Sequence, residues 1–218
     1  MLKVGLTGGI ASGKTVVGEM FVALGARLVQ ADQIAHALML PGELVYNEVV
    51  RHFGRGILNP DGSINRGKLA ELAFGGRGSA RTSRIEELNR IVHPAVIRQQ
   101  DEWMEEMGRQ DPNVVAIVEA ALILEAGAAD RFDRLIVVTC NEDQRVARFA
   151  ARQKMDLKSA RKEVLRRMAA QLPDQKKIKA ADYVIDNAGS LDATRRQVGE
   201  IWLTLHGDAQ ESSSQVPG

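Results

Sequence analysis

The segment GGIASGKT at residues 8–15 constrains this sequence more than any other feature, because it lies between an apolar run and a helix-like run. The apolar run at 3–7 (KVGLT) predicts a short buried strand, and the apolar spacing over 13–24 predicts a helix. A glycine-rich turn of the pattern G-x-x-x-x-G-K-[ST] that joins a strand to a helix is typical of a phosphate-binding loop, or P-loop. The sequence therefore predicts a nucleotide site near its amino end.

Each residue type in this loop has a chemical reason. Glycines let successive backbone N–H groups point at phosphate oxygens, and the following helix adds the positive end of its dipole. The lysine of the motif reaches the β- and γ-phosphates and the hydroxyl binds Mg²⁺, which assigns these roles to Lys14 and Thr15. The residues predicted to bind ATP are Gly8, Gly9, Ala11, Ser12, Gly13, Lys14, Thr15 and Val16.

Short apolar runs alternate with helix-like runs along the rest of the chain. Strands are predicted at residues 3–7, 27–30, 114–119, 135–139 and 183–186. Such alternation predicts a parallel sheet with helices on both faces. We therefore expect an α/β fold of the P-loop NTPase type, a three-layer parallel sheet of about five strands.

The uneven spacing of these strands predicts the domain organisation. Helical patterns fill the long gap between the second and third strands, which predicts a helical, substrate-binding insertion at about 32–113, and a second helical excursion at about 144–179 predicts a lid. The tail is rich in Ser and Gln and has no apolar pattern, so it is expected to be disordered. We expect a single P-loop kinase-like domain over 1–207, with a core at 1–31, 114–143 and 180–207 and a disordered tail at 208–218.

The chain is almost neutral, with a formal net charge of +1, but its basic residues are concentrated. Residues 144–179 contain twelve Lys and Arg residues against three Asp and Glu residues. Such a segment favours an anionic ligand, although a solvated helix face is the simpler interpretation of any one arginine. Arg145, Arg148 and Arg152 share one helical face. Arg148, with Arg152 as a second candidate, is expected to stabilise charge on a transferred phosphoryl group.

Two acidic residues follow predicted strands, at the edge of the sheet where the P-loop also opens. Asp32 follows the second strand and can accept a proton from an attacking hydroxyl, but it fits a helix N-cap equally well. Glu119 ends the third strand, where a carboxylate can hold Mg²⁺ directly or through water. The sequence therefore predicts a Mg²⁺ cofactor at Thr15, with Glu119 as a further candidate ligand.

Composition disfavours several other classes of protein. The single cysteine, Cys140, excludes an internal disulfide and favours a reducing compartment, so a cytoplasmic location is expected. No apolar run reaches the length of a membrane span, and no signal-type segment is recognisable. Aromatic residues make up 4% of the chain and only Phe149 lies among the clustered arginines, which argues against a nucleic-acid stacking surface. Neither a membrane nor a nucleic acid is expected as a partner.

Other motifs narrow the class of nucleotide-binding protein. A GTPase is expected to carry Asp-x-x-Gly after its third strand, where this chain has Glu119 followed by Ala-Ala-Leu. An ABC-type ATPase carries a Ser-Gly-Gly signature, which is absent from this sequence. A short P-loop core with an acidic residue after the second strand, a helical insertion and a basic lid is the layout of a small-molecule or nucleotide kinase.

Over about residues 1–206 the sequence resembles the dephospho-CoA kinase family. The matching motifs occur in one order along the chain, and the Leu-Thr-Gly-Gly-Ile lead-in is more specific than a bare P-loop. They are VGLTGGIASGKT (4–15), ADQIAH (31–36), GSINRGKLAELAF (62–74), IVHPAV (91–96), EAALILEAG (119–127), RRMAAQLP (166–173) and KKIKAADYVIDNAG (176–189).

The resemblance implies an activity and further site residues. It implies ATP-dependent phosphorylation of the ribose 3′-hydroxyl of dephospho-CoA, the last step of coenzyme A synthesis, with ATP and dephospho-CoA as ligands. Asp32 matches the residue that the family uses as catalytic base, and Asn187 would lie near the adenine. Arg66 and His93 fall in motifs of the helical CoA-side region and would bind the substrate with Asp32.

The chain also departs from the family pattern at several positions. Gln30 stands where the family usually has the first Asp of Asp-x-Asp, and Ala11 stands where Gly is common. The family's Asp-Ile-Pro after the third strand is replaced by Glu119, Ala120 and Ala121. Two alternatives therefore stay open: another P-loop small-molecule kinase, such as a nucleoside monophosphate kinase, and, more distantly, a non-catalytic nucleotide-binding module.

Overall fold

Five parallel strands form the sheet in the computed structural model of the chain, which describes residues 1–74 and 84–214. Neighbouring strands pair in parallel throughout, in the spatial order second, third, first, fourth, fifth. Each strand lies within one residue of its predicted bounds, and the α/β prediction is confirmed. The strands are β1 (Leu2–Gly8), β2 (Arg27–Gln30), β3 (Val115–Glu119), β4 (Arg134–Thr139) and β5 (Tyr183–Asp186).

Helices occupy the connections between the strands and follow the last one. Before β3 they are α1 (Lys14–Leu24), α2 (Ala31–Leu38), α3 (Leu44–Phe53), α4 (Arg66–Phe74) and α5 (Ile85–Gln110). After β4 they are α6 (Glu142–Gln153), α7 (Leu157–Ala169), α8 (Asp174–Ala180) and α9 (Leu191–Ser214). Within the described ranges, none of these helices combines the length and the apolar character that crossing a membrane requires.

The central strands are buried on both faces, because helices cover the sheet from both sides. Strand β1 lies between β3 and β4, so the strand order reverses at its carboxyl end. Ligands of open α/β sheets bind at such a point, and this is where the P-loop begins. The core around it consists mainly of Leu6, Val17, Phe21, Ile117, Ile136, Val138, Ile185, Val198 and Leu205.

The chain forms two compact units. The first comprises Met1–Gln30 and Met104–Gly218 and contains the whole sheet; the second comprises Ala31–Trp103. The second unit corresponds to the insertion predicted at about 32–113 but ends earlier, inside α5. The last turns of α5 belong with the sheet, and Gly108 there packs against Met1 just before β1.

The basic segment folds as three helices: α6 and α7 pack against each other, and α8 packs against β4. α7 begins after Asp156, which caps it by accepting a hydrogen bond from the Ser159 amide at 2.9 Å. Asn141 caps α6 in the same way through the Gln144 amide. Such side-chain caps satisfy amides that have no acceptor within the helix. A small apolar cluster centred on Phe149 and Val164 joins α6 to α7.

The prediction of a disordered tail from residue 208 is wrong for residues 208–214, where α9 continues to Ser214. Two contacts made by residues 208 and 209 explain why α9 continues beyond residue 207. Ala209 is fully buried, four residues beyond the buried Leu205. The Asp208 carboxylate pairs with the Arg134 guanidinium of β4 at 2.7 Å. One buried alanine and one ion pair do not produce an apolar periodicity, so the sequence pattern could not predict the extension. Residues 215–218 lie outside the described part.

Candidate active site

The phosphate-binding loop leaves β1 at Gly8 and enters α1 at Lys14. Gly13 caps α1 with φ +96°, in the left-handed region that favours glycine. Ala11 also has a positive φ, of 54°, although it has a side chain. The Ser12 amide donates to the Gly9 carbonyl at 3.3 Å, which closes the turn. The loop thus has the tight curvature that its glycines predicted.

Close neighbours exclude a side chain at two of the glycines, Gly9 and Gly13, and only Gly13 also has a positive φ. A Cβ placed on Gly13 would collide with the side-chain amide of Asn187. A Cβ placed on Gly9 would collide with the guanidinium of Arg145, which is only 1% exposed and has no room to withdraw. Packing therefore allows only a hydrogen at both positions.

Lys14 folds back over the loop that precedes it. Its Nζ atom donates to the Gly8 carbonyl at 3.0 Å and to the Gly9 carbonyl at 3.2 Å. These contacts hold the ammonium group at the loop rather than out in solvent. Thr15 and Val16 follow in the first turn of α1 and are exposed, and the amides of a first helical turn have no acceptor within the helix.

Asn187 and Arg148 hold the second half of the loop from the other side. Asn187 is buried; its Nδ2 donates to the Ser12 carbonyl at 2.8 Å, and its Oδ1 accepts from the Thr194 hydroxyl at 3.0 Å. The Arg148 guanidinium donates to the same Ser12 carbonyl at 3.1 Å and to the Asn187 carbonyl at 2.8 Å. The structure therefore brings two predicted site residues, Arg148 and Asn187, into direct contact with the P-loop.

Glu119 lies beside Thr15 at the carboxyl ends of β3 and β1. Its Oε1 accepts a hydrogen bond from Thr15 Oγ1 at 2.9 Å, and its Oε2 accepts one from Gln30 Nε2 at 2.8 Å. The carboxylate is only 9% exposed. Gln30, which the sequence marked only as a departure from the family pattern, thus orients the carboxylate.

This pair of side chains fits a Mg²⁺ ion that is shared with a nucleotide. A hydroxyl and a carboxylate are hard oxygen donors, and Mg²⁺ is usually held by one or two carboxylates together with substrate phosphates and water. No group of three or more His, Cys, Asp or Glu side chains suited to a metal occurs within residues 1–74 and 84–214. The residues present therefore suit a metal that arrives with phosphate oxygens, not a metal that the protein encloses alone.

The clustered arginines, which share one helical face in the sequence, occupy different environments. Arg145 is buried and pairs with Asp174. Burial of the neighbouring Cys140 raises the pKa of its thiol, although the positive charge of Arg145 opposes this shift. Arg152 is exposed, with its guanidinium 5.8 Å from the Phe149 ring centroid. Three further arginines are engaged in ion pairs on the surface of α6 and α7: Arg161 with Glu142, and Arg166 and Arg167 with Glu163. Sharing one helical face therefore did not give these arginines the same surroundings: Arg145 and Arg148 lie against the loop, whereas Arg152 is exposed.

Asp32, Arg66 and His93 belong to the second unit. Asp32 is exposed in the first turn of α2; because α2 begins at Ala31, it lies inside the helix rather than at its N-cap. Arg66 is the exposed first residue of α4. His93 is partly buried on α5, and this burial lowers the pKa of its imidazole below 6.5, so the ring is mainly neutral at pH 7.

Sequence analysis missed three side chains that contact the P-loop or its supports. Gln171 accepts a hydrogen bond from the Ile10 amide at 3.1 Å, Thr194 orients Asn187, and Asp174 pairs with Arg145. Gln171 lies within the motif at 166–173 and Asp174 lies between that motif and the one at 176–189, but the local pattern assigned neither a task. Their roles depend on contacts between distant parts of the chain.

The parallel sheet, the P-loop at its reversal point and the oxygen donors beside Thr15 define a P-loop kinase. A family model described as dephospho-CoA kinase matches residues 2–193. The chain belongs to the dephospho-CoA kinase family, whose known reaction is the final step of coenzyme A biosynthesis.

Similar proteins agree with this assignment. The dephospho-CoA kinase of Leifsonia xyli is 36% identical over 95% of this chain and 100% of its own length. That of Geobacter sulfurreducens is 39% identical over 91% of this chain and 96% of its own. The crystal structure of TT1252 from Thermus thermophilus superposes with a TM-score of 0.75 at 30% identity, covering 94% of this chain and 97% of that one. The dephospho-CoA kinase from Campylobacter jejuni shares the fold, with a TM-score of 0.66 at 23% identity over 94% of this chain and 98% of its own.

Proposed function

We propose that this chain transfers the γ-phosphoryl group of ATP to the ribose 3′-hydroxyl of dephospho-CoA, and that the residues described above perform the transfer. The observation that carries the proposal is the Thr15–Glu119 hydrogen bond, which joins a P-loop hydroxyl to a buried carboxylate. These two side chains suit a Mg²⁺ ion that arrives with the phosphates of the donor nucleotide. Family membership supplies the acceptor.

The ATP phosphates would bind along the loop from Gly8 to Val16. The amides at the start of α1 and its positive dipole end attract the phosphate oxygens. Lys14 would exchange its contacts with the Gly8 and Gly9 carbonyls for the β- and γ-phosphates. Asn187 would lie near the adenine, and its side-chain amide supports the loop there through the Ser12 carbonyl.

Mg²⁺ would be held by the Thr15 hydroxyl, with Glu119 as a direct ligand or acting through water. The bound ion would neutralise charge on the β- and γ-phosphates. Gln30 would keep the Glu119 carboxylate turned towards Thr15 through its hydrogen bond to Oε2.

Phosphoryl transfer forms a bond between the 3′-oxygen and the γ-phosphorus and breaks the bond from the γ-phosphorus to the bridging oxygen of ADP. Asp32 would orient the 3′-hydroxyl and accept its proton as the new bond forms. Lys14 and Arg148 would stabilise charge on the phosphoryl oxygens. Because the transition state of phosphoryl transfer is loose, orientation by Asp32 contributes more than its basicity.

Arg66 and His93 would bind dephospho-CoA in the second unit. An exposed guanidinium such as that of Arg66 suits a phosphate oxygen, and a mainly neutral imidazole can donate and accept hydrogen bonds without adding charge. The proposal includes a cytoplasmic location and a function that needs no nucleic-acid partner.

A coupled assay of ADP release tests the proposal. Purified protein with ATP and Mg²⁺ is offered dephospho-CoA or a panel of nucleoside monophosphates, and mass spectrometry identifies the phosphorylated product. We expect rapid release with dephospho-CoA and a product heavier by one phosphate. Preferred transfer to a nucleoside monophosphate would support the rival kinase, and tight ATP binding without transfer to any acceptor would support the non-catalytic module.

A further inference from the structure

A short segment after α7 contacts the first half of the P-loop. We call this segment, Gln171–Lys177, the strap. Its first residue accepts a hydrogen bond from the Ile10 amide at 3.1 Å through Gln171 Oε1, across 161 residues of sequence. A side chain from the basic region thus holds the backbone of the loop directly.

The strap reaches the loop a second time through Asp174. The Asp174 carboxylate pairs with Arg145, whose Nε also donates to the Cys140 carbonyl at 3.3 Å. The Arg145 guanidinium is 1% exposed and fills the space that a side chain at Gly9 would need. Asp174 therefore fixes a cation against the backbone of Gly9, next to the amide that Gln171 holds.

The strap is itself anchored to the core. Lys177 is fully buried and pairs with Glu125 Oε1 at 2.8 Å, and the Leu172 amide donates to the same oxygen at 3.0 Å. Glu125 lies in the turn that follows β3. Both ends of the strap are consequently fixed to the Glu125 carboxylate, which follows a strand of the sheet. A shift of the strap would break the buried ion pair between Lys177 and Glu125.

These contacts fix two of the loop amides. The Ile10 amide is taken by Gln171 and the Ser12 amide by the Gly9 carbonyl. Fixing these two before the nucleotide arrives leaves a single curvature for the loop. A preorganised loop binds an anion more tightly, because ordering it is not subtracted from the binding free energy.

We propose that the strap is a positioning element for ATP, with Gln171 as its contact residue: it presets the P-loop through the Ile10 amide and through the Arg145 cation against Gly9. The inference rests on the ATP site of the proposed function and adds residues to it. Gln171, Asp174 and Lys177 act through the loop and not on the reacting atoms.

The test replaces Gln171 with methionine, which has similar length but no strong acceptor. Isothermal titration calorimetry with ATP and Mg²⁺ measures the dissociation constant without any acceptor substrate. We expect Gln171→Met to raise the Kd for ATP about tenfold, equivalent to about 1.4 kcal/mol. The matched control is Gln153→Met, the same substitution at an exposed position of α6 outside the strap, for which we expect an unchanged Kd.

Two further measurements separate positioning from general damage. In steady-state assays Gln171→Met is expected to raise the KM for ATP while leaving the KM for dephospho-CoA within twofold. Hydrogen exchange at the Ile10 amide is expected to accelerate in Gln171→Met but not in Gln171→Glu, which keeps an acceptor oxygen. Equal change in both KM values, or an Ile10 amide that exchanges equally in all variants, overturns the proposal.

The calorimetry also distinguishes failure of the strap from failure of the proposed function. If Gln171→Met binds ATP as tightly as the wild type does, the positioning role of the strap is overturned and the proposed activity is not. If the wild-type protein binds ATP but does not phosphorylate dephospho-CoA, the proposed activity is overturned. The positioning role of the strap is then tested by comparing the Kd for ATP of the wild type with that of Gln171→Met. A wild-type protein without affinity for ATP overturns both.

Discussion

Thr15 and Glu119 are 104 residues apart in the sequence, yet Thr15 Oγ1 lies 2.9 Å from Glu119 Oε1. The contact exists because β1 and β3 are neighbouring parallel strands, with Leu6 opposite Glu119. The loop after β1 and the last residue of β3 therefore meet at one edge of the sheet. This pair supplies the oxygen donors on which the proposed Mg²⁺ site depends.

Glu119→Gln is expected to weaken that site. The amide retains hydrogen-bonding groups for Thr15 and Gln30 but removes the negative charge that favours a cation. We expect the Mg²⁺ concentration needed for half-maximal activity to rise 10–100-fold, the usual effect of altering a residue that tunes a metal site. Titration of MgCl₂ in the ADP-release assay measures this, and Glu48→Gln on the exposed surface of α3 is the control. An unchanged Mg²⁺ requirement would remove Glu119 from the metal site.

Gly13→Ala is expected to abolish tight ATP binding. The backbone at Gly13 has φ +96°, and an added Cβ would collide with the Asn187 amide that supports the loop. We expect at least a hundredfold rise in the Kd for ATP by calorimetry. Gly199→Ala is the matched control, because a Cβ there meets nothing within 4 Å and alanine favours its helix. Normal ATP affinity in Gly13→Ala would show that the loop relaxes without cost.

Asp32→Asn tests the proposed base. The amide cannot accept the proton and offers the hydroxyl one acceptor oxygen instead of two, so both alignment and proton removal weaken. We therefore expect kcat/KM for dephospho-CoA to fall at least 10²-fold, within the range of general-base effects. Asp130→Asn, at another exposed aspartate, is the control and should retain full activity. A rate near that of the wild type would assign proton removal to another group.

Glu163→Gln tests the charge pairing on α7. The Arg166 guanidinium, with a smaller contribution from Arg167, lowers the pKa of Glu163 from 4.5 to about 2. Because the folded-state pKa is the lower one, the unfolded chain takes up the proton first as the pH falls, and the stabilisation is lost between about pH 4.5 and 2. Both guanidinium groups are about half exposed, so we expect Glu163→Gln to lower the free energy of unfolding by only about 1 kcal/mol at pH 7.

Urea unfolding at pH 7, 5 and 3 measures that difference for Glu163→Gln. We expect the gap between the variant and the wild type to narrow at pH 3. Glu200→Gln, at an exposed glutamate of α9, should show little difference at any of these pH values. A gap that stays constant from pH 7 to pH 3 would mean that ionisation of Glu163 does not contribute to stability.

Features encoded in contiguous residues were predicted correctly. The strand at 183–186 was found from four residues because a β-branched and aromatic run is a local signal, and the P-loop was found because its motif occupies eight consecutive positions. The course of α9 beyond residue 207 was missed for the opposite reason. Its support comes from one alanine and from an ion pair with Arg134, neither of which changes the local pattern.

The amino-acid sequence by itself determined that this chain has a nucleotide loop between a strand and a helix, because each of these depends on neighbours in sequence. It also determined the family, through ordered motifs. Only the tertiary structure decided that Gln30 orients Glu119, that Arg145 is buried beneath Gly9, and that Gln171 holds the Ile10 amide. These contacts depend on which strands are neighbours and on how α6, α7 and α8 return to the sheet, and no local pattern specifies either.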